Sequence, residues 1–223
     1  MTKPKLEKKQ LTEVVFILDR SGSMTGMESD TIGGFNSMLK KQKDAKVQAY
    51  VSTVLFDHEA IVLHDRKRIE DVPLMTNKDY QPRGTTALLD AVGSAIKHIS
   101  TVHKYARPED RPTRTLFVIT TDGLENASKT YTLDKVKKMI EEQKHKYDWE
   151  FIFLGADIDA ISAARDLGIN EEYAVKYKRD SKGTKKAFYS IADAVCECCC
   201  SDEPLPKNWK KQLEEDYIKR KDK

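Results

Sequence analysis

The chain has 223 residues, enough for one domain with an extension and for a core that needs no disulfide to hold it. Apolar residues make up 39% and charged residues 34%. The 39 Lys and Arg against 36 Asp and Glu leave a net charge of +3, too little to argue for a nucleic-acid partner. No apolar run approaches the roughly 18 residues that would span a bilayer, and Met1 is not followed by a secretory leader.

All four cysteines (Cys196, Cys198, Cys199 and Cys200) crowd one place near the far end. None is left to staple the body, so the expectation is a cytoplasmic protein in a reducing compartment. The first ten residues carry Lys3, Lys5, Lys8 and Lys9, and the last carry Lys219, Arg220, Lys221 and Lys223. Both ends read as solubilising tails before they read as binding arms. The expected organisation is a basic tail over 1–10, one domain over 11–200, and an extension over 201–223.

In chain order, residues 14–18 form a continuous apolar run, as a buried parallel strand requires. A Ser/Gly/Thr-rich turn follows. Ile32, Phe35, Met38 and Leu39 then recur at helical spacing, and Gly33 and Gly34 in that helix point to close packing. Residues 47–56 alternate, with Val47, Ala49, Val51, Thr53 and Leu55 on one face. Residues 60–64 form a second β-like stretch, and Asp57-His58-Glu59 joins the two as a hairpin with one antiparallel edge strand.

Residues 87–102 predict an amphipathic helix with Leu88, Ala91, Val92, Ala95, Ile96 and Ile99 inward. A buried strand is expected over 115–120. A helix follows over 133–145, with Leu133, Val136, Met139 and Ile140 inward. A strand over 149–154, a helix over 158–167 closed by Gly168, a strand over 173–177 and a helix over 185–195 complete the body. This alternation predicts an α/β fold: a doubly wound, mainly parallel sheet of about six strands with helices on both faces. Ligands then sit beyond the carboxyl ends of the strands.

Three polar clusters fall at those ends. Asp19-Arg20-Ser21-Gly22-Ser23 follows the first strand, Gly84-Thr85-Thr86 precedes the second long helix, and Thr121-Asp122-Gly123 follows the central strand. They offer two carboxylates and several hydroxyls, with no His or Cys. Hard oxygens suit magnesium, calcium or manganese and not zinc. Taken singly, each has a plainer explanation. Asp19 and the serines could cap the next helix, Thr85 or Thr86 could cap the helix at Ala87, and Asp122-Gly123 could be an ordinary turn. Their order and their shared placement at strand ends argue against coincidence.

Asp19-Arg20-Ser21-Gly22-Ser23 resembles the Asp-x-Ser-x-Ser signature of the von Willebrand factor A family. Gly84 to Ala91 resembles that family's Gly-Thr segment, and Ile119 to Gly123 its Thr-Asp-Gly segment. The resemblance covers roughly 11–195. It implies a Rossmann-like fold and a metal-ion-dependent adhesion site. Asp19, Ser21 and Ser23 would supply the first motif. Thr86 would be the threonine ligand, with Thr85 as the fallback, and Asp122 would bind directly or through a water. The cation would be Mg2+, with Mn2+ or Ca2+ as alternatives. A partner protein would complete its coordination with a carboxylate. Without a leader or disulfides, the chain resembles the stand-alone intracellular bacterial or phage members, which are linked to assembly of protein complexes.

Two rivals are weaker. Asp19 at a strand end invites comparison with phosphoryl-transfer enzymes, but the second acid expected two residues on is Ser21, and no nucleophile elbow or Walker loop is present. Nucleic-acid binding through the basic ends lacks any supporting motif. The expectation is therefore a binding module and not an enzyme.

Three further features are read as structural. The Cys196 to Cys200 cluster lacks zinc spacing and reads as a helix end with one or two buried thiols. His58, His64, His98, His103 and His145 read as surface residues. Trp209, Leu213, Tyr217 and Ile218 lie near helical spacing, and the extension carrying them either packs back on the domain or offers a face to a partner.

Overall fold

The computed structural model describes residues 11–156, 158–201 and 203–220. The basic tail expected over 1–10, like Lys221 and Lys223, lies outside the described residues.

Six strands form one sheet in the order β3-β2-β1-β4-β5-β6. The central strand β1 (Thr12–Asp19) is buried along its whole length, which explains its unbroken apolar run. It pairs in parallel with β2 (Ala49–Phe56) on one side and β4 (Arg114–Thr121) on the other. Beyond β4 lie β5 (Glu150–Ala156) and β6 (Ala174–Tyr177), both parallel. The strand β3 (Ala60–Arg68) pairs antiparallel with β2 through the expected hairpin. The order of connection reverses between β1 and β4, so a crevice opens there at the carboxyl ends.

Each face of the sheet carries its own core. Val14, Phe16 and Leu18 of β1 point to a layer holding α1 (Glu28–Asp44) and α5 (Ser181–Cys200). Val15 and Ile17 point the other way, to α2 (Leu88–Tyr105), α3 (Leu133–Tyr147) and α4 (Ala160–Asp166). The period-two alternation of an interior strand thus feeds two layers at once.

The extension packs back on the domain. A 3-10 turn (Lys207–Lys210) leads into α6 (Lys211–Lys219) beside β6 and α5. Trp209 and Leu213 are buried, and the Trp209 indole donates to the Glu172 carbonyl at 3.1 Å. Ile218 stays exposed. Cys198 and Cys199 are buried at the end of α5 while Cys200 is exposed, as expected of a helix end. Burial pushes the Cys198 thiol well up and the Cys199 thiol to about 12, so neither is a ready thiolate.

Several expectations need correcting. His64 is not on the surface: it is 2% exposed, bonds Thr53 Oγ1 at 3.1 Å and stacks on Phe35. Burial and the nearby Lys67 hold its pKa below the usual value, so it is a neutral core residue. His103 is half-buried against Trp149 and Glu13. Leu133 is 41% exposed because α3 begins there, before its inward stripe of Val136, Ile140 and Gln143. On β2, Val54 and Phe56 are buried as well as the expected face, because they pack into the second core layer with α2. Helix α5 starts earlier than its apolar period because Asp180 caps it, accepting from Gly183 N at 2.7 Å. Arg220 is not part of a solvated tail; it pairs with Asp180 at 2.6 Å and with Asp216.

The two helix glycines differ. A Cβ at Gly34 would overlap the Phe188 ring of α5, whereas one at Gly33 would meet open space. Gly34→Ala is therefore expected to cost about 1–3 kcal/mol through overpacking. Gly33→Ala, at an exposed helical position, is expected to stabilise by about 0.5–1 kcal/mol. Chemical denaturation of the two variants beside the parent checks both signs.

Candidate metal centre

The three polar clusters do converge, at the crevice between β1 and β4. Register makes this unavoidable. Leu18 pairs with Thr120, so Asp19 and Thr121 stand side by side as the strands end. The Thr121 hydroxyl donates to Asp19 Oδ2 at 2.6 Å, and Ser21 N donates to Oδ1 at 2.7 Å. The Ser21 and Ser23 hydroxyls lie 2.9 Å apart, and Ser23 donates to Asp122 Oδ1 at 2.5 Å. A Cβ built on Gly123 would fall 3.1 Å from Thr86 Oγ1 and 3.8 Å from Ser23 Oγ. Those two hydroxyls thus share the space that glycine leaves. Thr86 is 3% exposed and turned inward, while Thr85, the fallback, is exposed.

The capping explanations for these residues fail on geometry, while Asp122 and Gly123 do lie in a bend. Helix α1 begins only at Glu28, capped by Met27 with no side-chain bond, and Ser21, at the N-cap of the 3-10 turn Gly22–Met24, makes no side-chain cap bond, so the side chains of Asp19, Ser21 and Ser23 cap no helix. Helix α2 also lacks a side-chain bond from its own N-cap, Ala87. Its first amides are instead met by the third loop, where Glu125 accepts from Leu89 N at 2.8 Å and Ser128 accepts from Asp90 N at 3.0 Å. Thr86 is relieved of capping, and its hydroxyl faces the cluster. Hydroxyls and carboxylates that serve no helix end are gathered in one place, a donor set of hard oxygens that fits a magnesium-like cation.

Burial pushes the Asp19 carboxyl above its usual range, and the nearby Asp122 carboxylate adds to the rise, against hydrogen bonds from Ser21 and Thr121. Two carboxylates held this close favour a cation between or beside them.

Sequence reasoning missed the scaffold around this cluster. Tyr80, 1% exposed, donates its hydroxyl to the Asp19 carbonyl from a loop that carries no motif. Asp57, read as a hairpin residue, is fully buried. It pairs with Arg20 and Arg83 at 2.9 Å each, and its carbonyl accepts from Ala87 N. Burial alone would raise the Asp57 carboxyl, but Arg83, the Glu59 amide and Arg20 together hold it below the usual range. Gly22 N donates to Gly84 O at 3.1 Å, joining the first loop to the second. Gly84, with φ at +65°, reaches this contact in a conformation that side chains rarely adopt. Asn126 accepts from Thr86 N, and its own amide donates to Thr86 O, joining the second loop to the third. Arg179, outside every motif, brings its guanidinium to Asp122 Oδ2 at 3.1 Å.

No protein-family model and no curated protein matches the sequence. Solved structures do match in fold. The von Willebrand domain of the type V pilus tip protein Mfa5 from Porphyromonas gingivalis superposes with a TM-score of 0.63 at 12% identity, over 88% of this chain and 98% of that one. Proximal thread matrix protein 1 of the mussel byssus, in a form whose adhesion motif holds zinc, gives a TM-score of 0.56 at 15% identity, over 85% of this chain. The pilus adhesin SpaC of Lactobacillus rhamnosus GG gives 0.64 at 11% identity, also over 85%. The chain spans 46% of the mussel protein and 31% of SpaC. The fold is thereby that of a von Willebrand factor A domain.

Asp57→Ala would strand the Arg20 guanidinium, whose side chain is 8% exposed. Removing one partner of a buried pair costs about 3–5 kcal/mol, and that loss is expected in urea unfolding. Arg83→Ala, at a half-exposed side chain, is expected to cost far less.

Proposed function

On this von Willebrand factor A scaffold, we propose that the chain is a metal-dependent protein-binding module. Asp19, Ser21, Ser23, Thr86 and Asp122 hold one divalent cation, Mg2+ first among the candidates, and a partner protein supplies a carboxylate to it. The observation that carries the reading is the gathering of three hydroxyls and two carboxylates that serve no helix end, at the crevice where this fold takes ligands.

The chemistry follows from the donor set. Neutral hydroxyls leave a dication under-neutralised, so the bound ion attracts an incoming carboxylate. The chain's residues do the positioning. Thr121 and the Ser21 amide fix both oxygens of Asp19, and Asn126 fixes the backbone that carries Thr86. Binding, and not catalysis, is the role such a fixed and open cation fits.

A protein partner suits the surroundings better than a small ligand does. Leu124, next to Gly123, is 64% exposed. It borders a groove of about 410 Å³ that Leu88, Leu133 and Phe153 also line. Acidic and apolar side chains on one partner would meet the cation and this groove together. We place the protein in the cytoplasm, in keeping with four free thiols. Among the described residues no helix is long and apolar enough to cross a membrane.

The test is a thermal melt of metal-stripped protein against Mg2+, Mn2+ and Ca2+. A cation bound only to the folded state adds about 2.7 kcal/mol at a hundredfold excess over Kd, or about 5–10 °C for a chain of this size. Asp19→Ala is expected to fold and to lose the shift; an undiminished shift in that variant would sink the proposed site. Thr86→Val is expected to weaken Mn2+ binding by about ten- to a hundredfold, the worth of one oxygen contact to a charge. Thr85→Val is expected to leave binding unchanged, and calorimetric titration separates the two.

A further inference from the structure

The proposed ligand set does not account for Arg179. It lies between β6 and α5, in the run Lys178-Arg179-Asp180. Both neighbours are held from the side of the terminal extension. The Lys178 ammonium sits 5.6 Å from the centre of the Tyr217 ring, and Asp180 pairs with Arg220 at 2.6 Å while also capping α5. A Cβ at Gly183 would run into the Lys178 carbonyl, so the turn is closely packed. The Arg179 side chain, from the turn between β6 and α5, reaches the other way, across the crevice. Its Nε lies 3.1 Å from Asp122 Oδ2, and a terminal nitrogen donates to the Ser23 carbonyl. It therefore touches two of the three loops. The Asp122 side chain is 1% exposed and that of Arg179 is 37% exposed, so the pair is buried at the carboxylate and open at the guanidinium.

Asp122 meets both sides of the site. One oxygen accepts from Ser23, on the hydroxyl side of the cluster, and the other faces the guanidinium. A dication among those hydroxyls would share this carboxylate with a permanent positive charge, and like charges held on one carboxylate oppose each other. We propose that Arg179 is the site's own counter-cation: it competes with the metal for Asp122 and so sets the cation affinity. A partner carboxylate can meet the guanidinium and the ion together, drawing Arg179 off Asp122 and favouring retention of the ion. The preferred partner group is thus an acidic side chain able to bridge two cations. This inference rests on the metal-binding reading above.

The experiment is a titration of the full chain with Mn2+, with free ion followed by electron paramagnetic resonance. The parent, Arg179→Gln, Arg179→Lys and Asp19→Ala are compared, with circular dichroism confirming the fold of each. Arg179→Gln is expected to bind Mn2+ about tenfold tighter or more, since it removes the competing charge. Arg179→Lys keeps that charge and is expected to stay close to the parent. A gain in affinity is not what damage to the loop would give. Equal or weaker binding in Arg179→Gln, with binding in the parent that Asp19→Ala abolishes, would overturn the competition and leave the metal site standing. No Mn2+ binding by any form would overturn both.

Discussion

The parallel pairing of β1 with β4 is the constraint on which the site depends. These strands meet where the sheet's winding reverses, and their hydrogen-bond register ends Asp19 beside Thr121. A slip of one residue would turn every side chain of β1 to the opposite face. Phe16 and Leu18 belong to one core and Val15 and Ile17 to the other, so such a slip would exchange two packed layers as well as move the carboxylate. The burial that stabilises the sheet is the same burial that places Asp19. Fold and site are therefore specified by one pattern of residues.

Register fixes only the strand ends, and the loops beyond them need a second device. That device is a set of carboxylates and amides serving backbone groups of neighbouring loops. Asp90, in the first turn of α2, accepts from the amides of Lys129, Thr130 and Tyr131. Glu125 returns the favour by accepting from Leu89 N on α2 and from Ala127 and Ser128 within its own loop. Asp57 holds Arg20 and Arg83 at the other side. Loops after strands are ordinarily the mobile parts of such a fold. Here their amides are already paired, which reduces the ordering cost of binding an ion or a partner.

Much of this was legible in the sequence, for a physical reason. A strand buried on both faces must be apolar throughout, so β1 and β4 announce themselves, and their polar successors mark the site. Asp19, Ser21, Ser23, Thr86 and Asp122 all come together as the motifs imply. What could not be read was whatever acts across distance in the chain. Tyr80 lies in an irregular loop without periodicity. Asp57 looks like any turn aspartate until its burial is known. Arg179 sits in a basic-acidic run that resembles a solvated turn. His64 alternates correctly for either face of β3, and only the packing of Phe35 decides which face is core. Apolar spacing alone misplaces a helix end where a cap sets it, as Asp180 does for α5.

The terminal extension has a consequence for how copies of this chain can meet. The last strand, β6, is only four residues long and stands at the rim of the sheet. A rim strand offers unpaired backbone groups to any other strand that passes, the usual seed of fibres and exchanged segments. Here the Lys210 ammonium donates to the carbonyl of Ala174, at 2.8 Å, and to that of Glu171, at 2.7 Å, while α6 lies alongside. The extension thus acts as insulation at this rim. It occupies the ground a foreign strand would need beside β6, and leaves β3, at the opposite rim, as the edge strand without such a cover among the described residues.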